Sequence, residues 1–161
     1  MTVQIRNVLL EDLDEVTELE KLCFNDKAAT KEEFAYRINT FPQSFFVAVQ
    51  DNKIIGLING CVSNQQYICD ELFETEGGHE PNGKTQMVFG LATHKDYQRR
   101  GIAAELMNHL MKEARKQKRT DMSLTCRQHL IHYYEKFGFI NHGVSKSVHG
   151  GVVWYDMLMQ L

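Results

Sequence analysis

Gln98-Arg99-Arg100-Gly101-Ile102-Ala103 constrains this chain more than any other stretch. It follows an apolar run, Met87-Val88-Phe89-Gly90-Leu91-Ala92. It opens a segment in which Ile102, Ala103, Leu106, Met107, Leu110, Met111 and Ala114 recur at helical spacing. The order is strand, tight basic turn, helix. The first N–H groups of a helix have no intrahelical partner, and that end of the dipole is positive. Gly101 and Ala103 are small enough for an anion to approach those groups, and Arg99 and Arg100 add fixed charge. The physical reading is a pyrophosphate cradle; the plainer alternative is a solvated basic turn.

The rest of the chain alternates between strand and helix signals. Val3 to Arg6 alternates as a short strand, and Leu13, Val16, Leu19 and Leu22 then mark one helical face. A second helix spans Thr30 to Ile38, with Thr30 and Glu33 spaced as a capping box. Phe45 to Val49 and Ile54 to Val62 flank Asp51-Asn52-Lys53 as a hairpin. Thr85 to Thr93 reads as one buried central strand and Met122 to Cys126 as another. His129 to Phe137 reads as a short helix. Ile140 to Ser147 and Val152 to Met159 are closing strands joined by a turn at His149-Gly150-Gly151. There is no internal repeat and no linker that would separate two units, so residues 1–161 are expected to form one α/β domain. A chain of 161 residues is long enough to bury a core.

Composition narrows the function classes. A net charge of −3 argues against a nucleic-acid surface. The basic cluster Lys112, Arg115, Lys116, Lys118 and Arg119 sits where cations suit a helix end. Cys23, Cys61, Cys69 and Cys126 form no C-x-x-C pair, so neither a metal site nor a disulfide framework is expected. The start, Met1 to Arg6, has no apolar leader core, and no apolar run reaches membrane-spanning length. A cytoplasmic protein without membrane contact is the expectation.

The element order and two motifs carry a family resemblance. The turn at Gln98–Ala103 is similar to the Q/R-x-x-G-x-G/A signature of the GNAT superfamily of acetyl-CoA-dependent N-acetyltransferases, with Ala in the last place. His132-Tyr133-Tyr134-Glu135-Lys136-Phe137-Gly138-Phe139 resembles that family's second signature, an aromatic pair followed by a Gly-Phe turn. Within the superfamily, Leu91-Ala92-Thr93-His94, Leu124-Thr125-Cys126 and the Tyr134 segment look most like arylalkylamine N-acetyltransferases. Leu22-Cys23-Phe24 and Trp154-Tyr155-Asp156-Met157 fit more loosely. That subgroup carries proton-relaying histidines on the central strand; Met87 and Phe89 stand in their places here.

The resemblance implies the fold, a mixed central sheet flanked by helices, and a cosubstrate, acetyl-CoA, with no metal. It implies that the backbone of Gly90, Leu91, Ala92 and Thr93 binds the pantetheine arm, freed by a bulge near Gly90. It places Gln98, Arg99, Arg100, Gly101, Ile102 and Ala103 at the pyrophosphate. It makes Tyr134 the general acid for the departing thiolate, with Tyr133 in a packing role. The expected reaction is direct attack by a small primary amine in a ternary complex. A protein N-terminus or lysine is the alternative acceptor, and a non-catalytic acyl-CoA-binding module the alternative class. A homodimer is allowed.

No residue stands out as general base. His94 is expected to be structural and His129 and His132 surface or cap residues. His79 lies in a loop from which it could swing inward, and a water chain would also serve. Cys126 is expected to be buried packing rather than a nucleophile. Phe24, Phe45, Phe73 and Trp154 are candidates for an apolar acceptor pocket. The acidic segment Asp70 to Glu80 is either solvated surface or a lid that attracts a cationic amine.

Overall fold

The computed structural model describes residues 2–74 and 78–161. Met1 and three residues of the acidic segment, Thr75, Glu76 and Gly77, lie outside the described residues. Two sheets form the frame. One is antiparallel, in the order β1 (Gln4–Asn7), β2 (Phe45–Gln50), β3 (Lys53–Asn59), β6 (Gly90–Thr93). The other runs β4 (Val62–Ser63), β5 (Thr85–Val88), β7 (Asp121–Cys126), β9 (Tyr155–Gln160), β8 (Ile140–Val144).

The segment Thr85–Thr93 is not one strand of one sheet. β5 pairs in parallel with β7 as far as Val88 opposite Leu124, and β6 pairs antiparallel with β3 from Gly90 opposite Asn59. The chain changes sheets at Phe89, whose N–H donates to Asn59 O at 2.7 Å. This is the irregularity expected near Gly90. Beyond Val88, β6 and β7 diverge, and β6 becomes an edge of its sheet.

Alternation along β2 sorts the two faces of the first sheet. Phe45 and Val47 point to a layer with Val16 and Leu19 of α1 (Leu13–Phe24) and Phe34 and Ile38 of α2 (Lys31–Thr40). Phe46 and Ala48 point to the opposite layer, where Ile102, Leu106, Met107, Leu110 and Met111 of α3 (Ile102–Lys116) meet Met122, Leu124 and Met157. Each such side chain stabilises the fold by about 1.5–3 kcal/mol when fully buried. Thr30 caps α2 as its spacing predicts, accepting from Glu33 N at 3.1 Å while Thr30 N donates to the Glu33 carboxylate at 2.9 Å.

Several boundaries differ from the sequence reading. Ile54–Val62 breaks after Asn59, because Gly60 lies directly against the β5 backbone. A Cβ at Gly60 would sit 1.8 Å from Met87 O. Leu22, counted in the apolar stripe of α1, is 65% exposed. The second short helix begins as a 3-10 turn and becomes α4 only over Ile131–Glu135. The closing hairpin is shorter on both sides, since residues between β8 and β9 form a long connection that reaches across the molecule to Asp70 and Lys27.

Gly60→Ala therefore forces two strands apart at the junction of the sheets. The expected outcome is destabilisation by at least about 2 kcal/mol, read as a lower midpoint in urea unfolding. A midpoint equal to that of the wild type would contradict this packing.

Candidate active site

The divergence of β6 from β7 opens a cavity of about 180 Å3. An apolar cavity of roughly 150 Å3 admits benzene, so this one suits a small group. Its floor is Phe89, Gly90 and Leu91 on one side and Thr125 and Cys126 on the other. Tyr134 and Leu130 close one end. Phe24, Phe73 and Trp154 supply apolar walls, and Glu20, Glu33, Arg37, Lys27 and His149 the polar ones.

The roof comes from segments far apart in sequence. Ser147 Oγ donates to one Asp70 oxygen, and Val148 N donates to the other at 3.1 Å. Trp154 Nε1 donates to His149 O at 2.7 Å, and the His149 ring sits 5.0 Å from that of Phe73. Arg37 Nη2 holds Phe73 O at 3.2 Å from below.

A second groove continues from the cavity along β6. It is lined by Leu22, Cys23, Phe24, Leu91, Ala92, Thr93, His94, Lys95 and Gln98, so Phe24 and Leu91 border both spaces. The free edge of β6 thus runs from Tyr134 toward the basic turn. Gln98 Nε2 donates to Thr93 O at 3.3 Å and ties the turn to the strand end.

In the turn, Arg99 (φ 63°) and Gly101 (φ 78°) are left-handed. Gly101 is the N-cap of α3, and Glu105 N to Gly101 O is the first helical hydrogen bond, at 3.0 Å. The N–H groups of Ile102, Ala103 and Ala104 precede that bond and have no helical partner. A Cβ at Gly101 would meet nothing within 4 Å, so the backbone conformation, which glycine adopts freely, is what requires it there. Ile102 itself is buried in the core, so only its backbone faces the turn. Arg100 lies over the Tyr97 ring at 5.2 Å. A free strand edge, a groove and an open cationic helix start fit a long thioester with a phosphate end.

The titratable groups divide sharply. Tyr134 lines the cavity, and burial raises its phenol well above the ordinary range, helped by Tyr133 and Cys126. Cys126, in the same cavity, has its thiol pushed up to about 11 by burial. Burial likewise raises the Glu20 carboxyl and lowers the Arg37 guanidinium.

The structure brings Tyr134, Leu91, Phe24, Phe73 and Trp154 to one cavity; Cys126, expected to be buried packing, is buried and lines it too. Phe45 is elsewhere, buried against Phe34 at a ring distance of 5.6 Å. His79 is not near Tyr134. It accepts from Val62 N at 3.1 Å, lies 5.1 Å from the Phe41 ring and lines a separate pocket with Arg119 and Gln86. His94 Nδ1 accepts from Asp96 N, a capping contact. His129 and His132 are exposed. In the acidic segment Asp70 and Glu80 tie loops together, while Glu71 and Glu74 are exposed.

Sequence reasoning missed Glu20 and Arg37. Both interrupt apolar helical faces, Glu20 four residues after Val16 and Arg37 three after Phe34. A charged residue within the apolar stripe was the available signal.

Residues 13–139 match the acetyltransferase (GNAT) family, and the chain belongs to it, a family of acyltransferases that use acetyl-CoA. No curated protein sequence matches this chain. Several solved structures share the fold. The loading GNATL domain of CurA from Lyngbya majuscula superposes with a TM-score of 0.82 at 17% identity, covering 99% of this chain and 98% of that one. Arabidopsis thaliana Naa50, solved in complex with the bisubstrate analogue CoA-Ac-MVNAL, gives 0.78 at 17% identity with 100% of both chains covered. The Escherichia coli ribosomal-protein-S18-alanine N-acetyltransferase gives 0.73 at 19% identity, covering 99% and 94%.

Reversing the charge of the turn with Arg99→Glu and Arg100→Glu together should weaken coenzyme A binding at least tenfold at low ionic strength. The gap to wild type should narrow as salt is added. Titration calorimetry reads both effects, and equal affinities would remove the turn from the phosphate site.

Proposed function

We propose that this protein transfers the acetyl group of acetyl-CoA to a small primary amine by direct attack in a ternary complex. One observation carries the reading: Tyr134 and the free edge of β6 line the same cavity. Acetyl-CoA supplies the acetyl group as a thioester. Leu91, Ala92 and Thr93 orient the thioester arm along their strand edge, and the turn at Gln98–Ala103 holds the phosphates. The walls then position the amine beside Gly90, which supplies much of the rate by proximity.

Tyr134 donates its proton to the departing sulfur. Its raised pKa keeps the phenol protonated at neutral pH. The same apolar surroundings make a thiolate more basic, so donor and acceptor shift together. Cys126 supports direct transfer over an acetyl-cysteine route, because a thiol raised to about 11 holds little thiolate at neutral pH.

The small acceptor is favoured over a peptide by the roof. Lys27, Phe73, His149 and Trp154 narrow the cavity from above, and its volume of about 180 Å3 suits one small group. The aromatic walls favour an amine with an apolar body, the arylalkylamine class that the motifs resemble. Glu20 and Glu33 are the carboxylates in the lining that a cationic amine would meet.

Thiol release should be highest with phenethylamine or tryptamine and lower with putrescine or a free-N-terminal pentapeptide. Acetyl-CoA binding without turnover on any of them would favour the binding module. Tyr134→Phe should lower kcat by ~10²–10⁴-fold while the KM for acetyl-CoA changes little, since the hydroxyl acts mainly in the transition state. An unchanged kcat, with chemistry rate-limiting, would make Tyr134 a packing residue.

A further inference from the structure

Two buried polar atoms at the Gly90 end of the cavity have no hydrogen-bond partner among the described residues. They are Glu20 Oε1 and Asn59 Nδ2. Glu20 is 5% exposed and Asn59 fully buried. Both converge on one point. A methyl group at Gly90 would lie 3.3 Å from Glu20 Oε1 and 3.6 Å from Asn59 Nδ2. Leaving such atoms unpaired is costly, and in native structures an orphan of this kind calls for an explanation.

We propose that Glu20 binds the ammonium group of the acceptor and takes its proton, through the carboxylate oxygen that faces Gly90. This rests on the amine-transfer reading above. The carboxylate is already oriented. Oε2 accepts from Ala29 N at 2.8 Å, which leaves Oε1 buried beside Gly90 at the rim of the cavity, without a partner among the described residues. Arg37 is close enough to favour the ionised carboxylate, yet its guanidinium donates elsewhere: Nη1 to Asn59 Oδ1 at 3.0 Å and Nη2 to Phe73 O. The Asn59 contact fixes that side chain with its amide N–H groups toward the same point. A ligand that both donates and accepts, as an amine beside a thioester carbonyl does, would satisfy both atoms.

The groups facing Glu20 are Arg37 and Glu33 from α2, Cys23 from α1, and His149 from the connection before β9. Burial outweighs the cations and raises the carboxyl above its usual range, which makes it a better base near neutral pH. The protons balance. The ammonium gives one proton to Glu20, the C–N bond forms, and the C–S bond breaks as Tyr134 protonates the sulfur. The second nitrogen proton, released as the amide forms, restores the phenol. Glu20 loses its proton to solvent when the product leaves.

Glu20→Gln keeps the shape and the acceptor for Ala29 N. Phenethylamine is the probe, with thermal midpoint and coenzyme A affinity as checks that the variant is folded. Three results are expected. Titration calorimetry shows phenethylamine binding at least tenfold weaker. The rate kcat/KM falls at least a hundredfold. In the wild type kcat/KM rises with pH through a step above the ordinary carboxylate range, the base form being the deprotonated one; the variant loses that step and keeps only the rise due to the amine itself. Phenethylamine affinity and kcat/KM both within twofold of wild type, or an unaltered pH step, would overturn the proposal. If Glu20→Gln does not fold, Glu20→Asp should retain the step with a lower rate, and an unaltered rate and profile there would equally overturn it. Wild type that turns over phenethylamine separates a failure of Glu20 from a failure of the amine reading; wild type inert toward every amine tested would overturn both.

Discussion

The transfer of one chain segment between two sheets at Phe89 is the constraint on which the site depends. β5 is committed to β7 by parallel pairing up to Val88, and β6 to β3 from Gly90 onward. Neither pairing can be extended without losing the other. The strands must therefore part, and the gap between them has floor, walls and an unpaired strand edge without any further device. A strand edge left open is ordinarily a hazard. Here it is flanked by Phe24 of α1 and Tyr134 of α4 across the cavity and groove.

The helices serve the same geometry. α3 packs on one face of the first sheet and follows β6 through the turn that Gln98 ties to Thr93 O. α1 and α2 cover the opposite face and carry Glu20 and Arg37 over the rim of the gap. Core packing thus fixes the distance between the cationic turn and the cavity, and both ends of the site rest on rigid elements.

The backbone half of the site was legible in the sequence because it is local. Gln98 to Ala103 announces its turn through Gly101 and the stripe that follows, and Thr30 with Glu33 announces a helix start. The cavity walls were not legible to the same degree, because they are assembled from Glu20, Arg37, Phe73, His149 and Trp154 at large sequence separation. Glu20 lies among Glu18 and Lys21, so it passes for one more solvated charge until α2 and the residues after α1 are folded over it. Phe45 and Leu22 failed in opposite directions. Apolar character alone places Phe45 neither in core nor in cavity, and a stripe of four leaves Leu22 free to end outside the contact.

The roof has a consequence for how such a molecule diversifies. Lys27, Asp70 to Phe73 and Ser147 to Trp154 are connections between elements, tied to one another by a few hydrogen bonds. None belongs to β6 or to the turn before α3. Replacing these loops changes what the cavity admits and leaves the strand edge and cationic turn as they are. The roof loops and the basic turn lie in separate parts of the chain, with Phe24 and Leu91 bordering both spaces, so a lineage can revise the roof without rebuilding the turn.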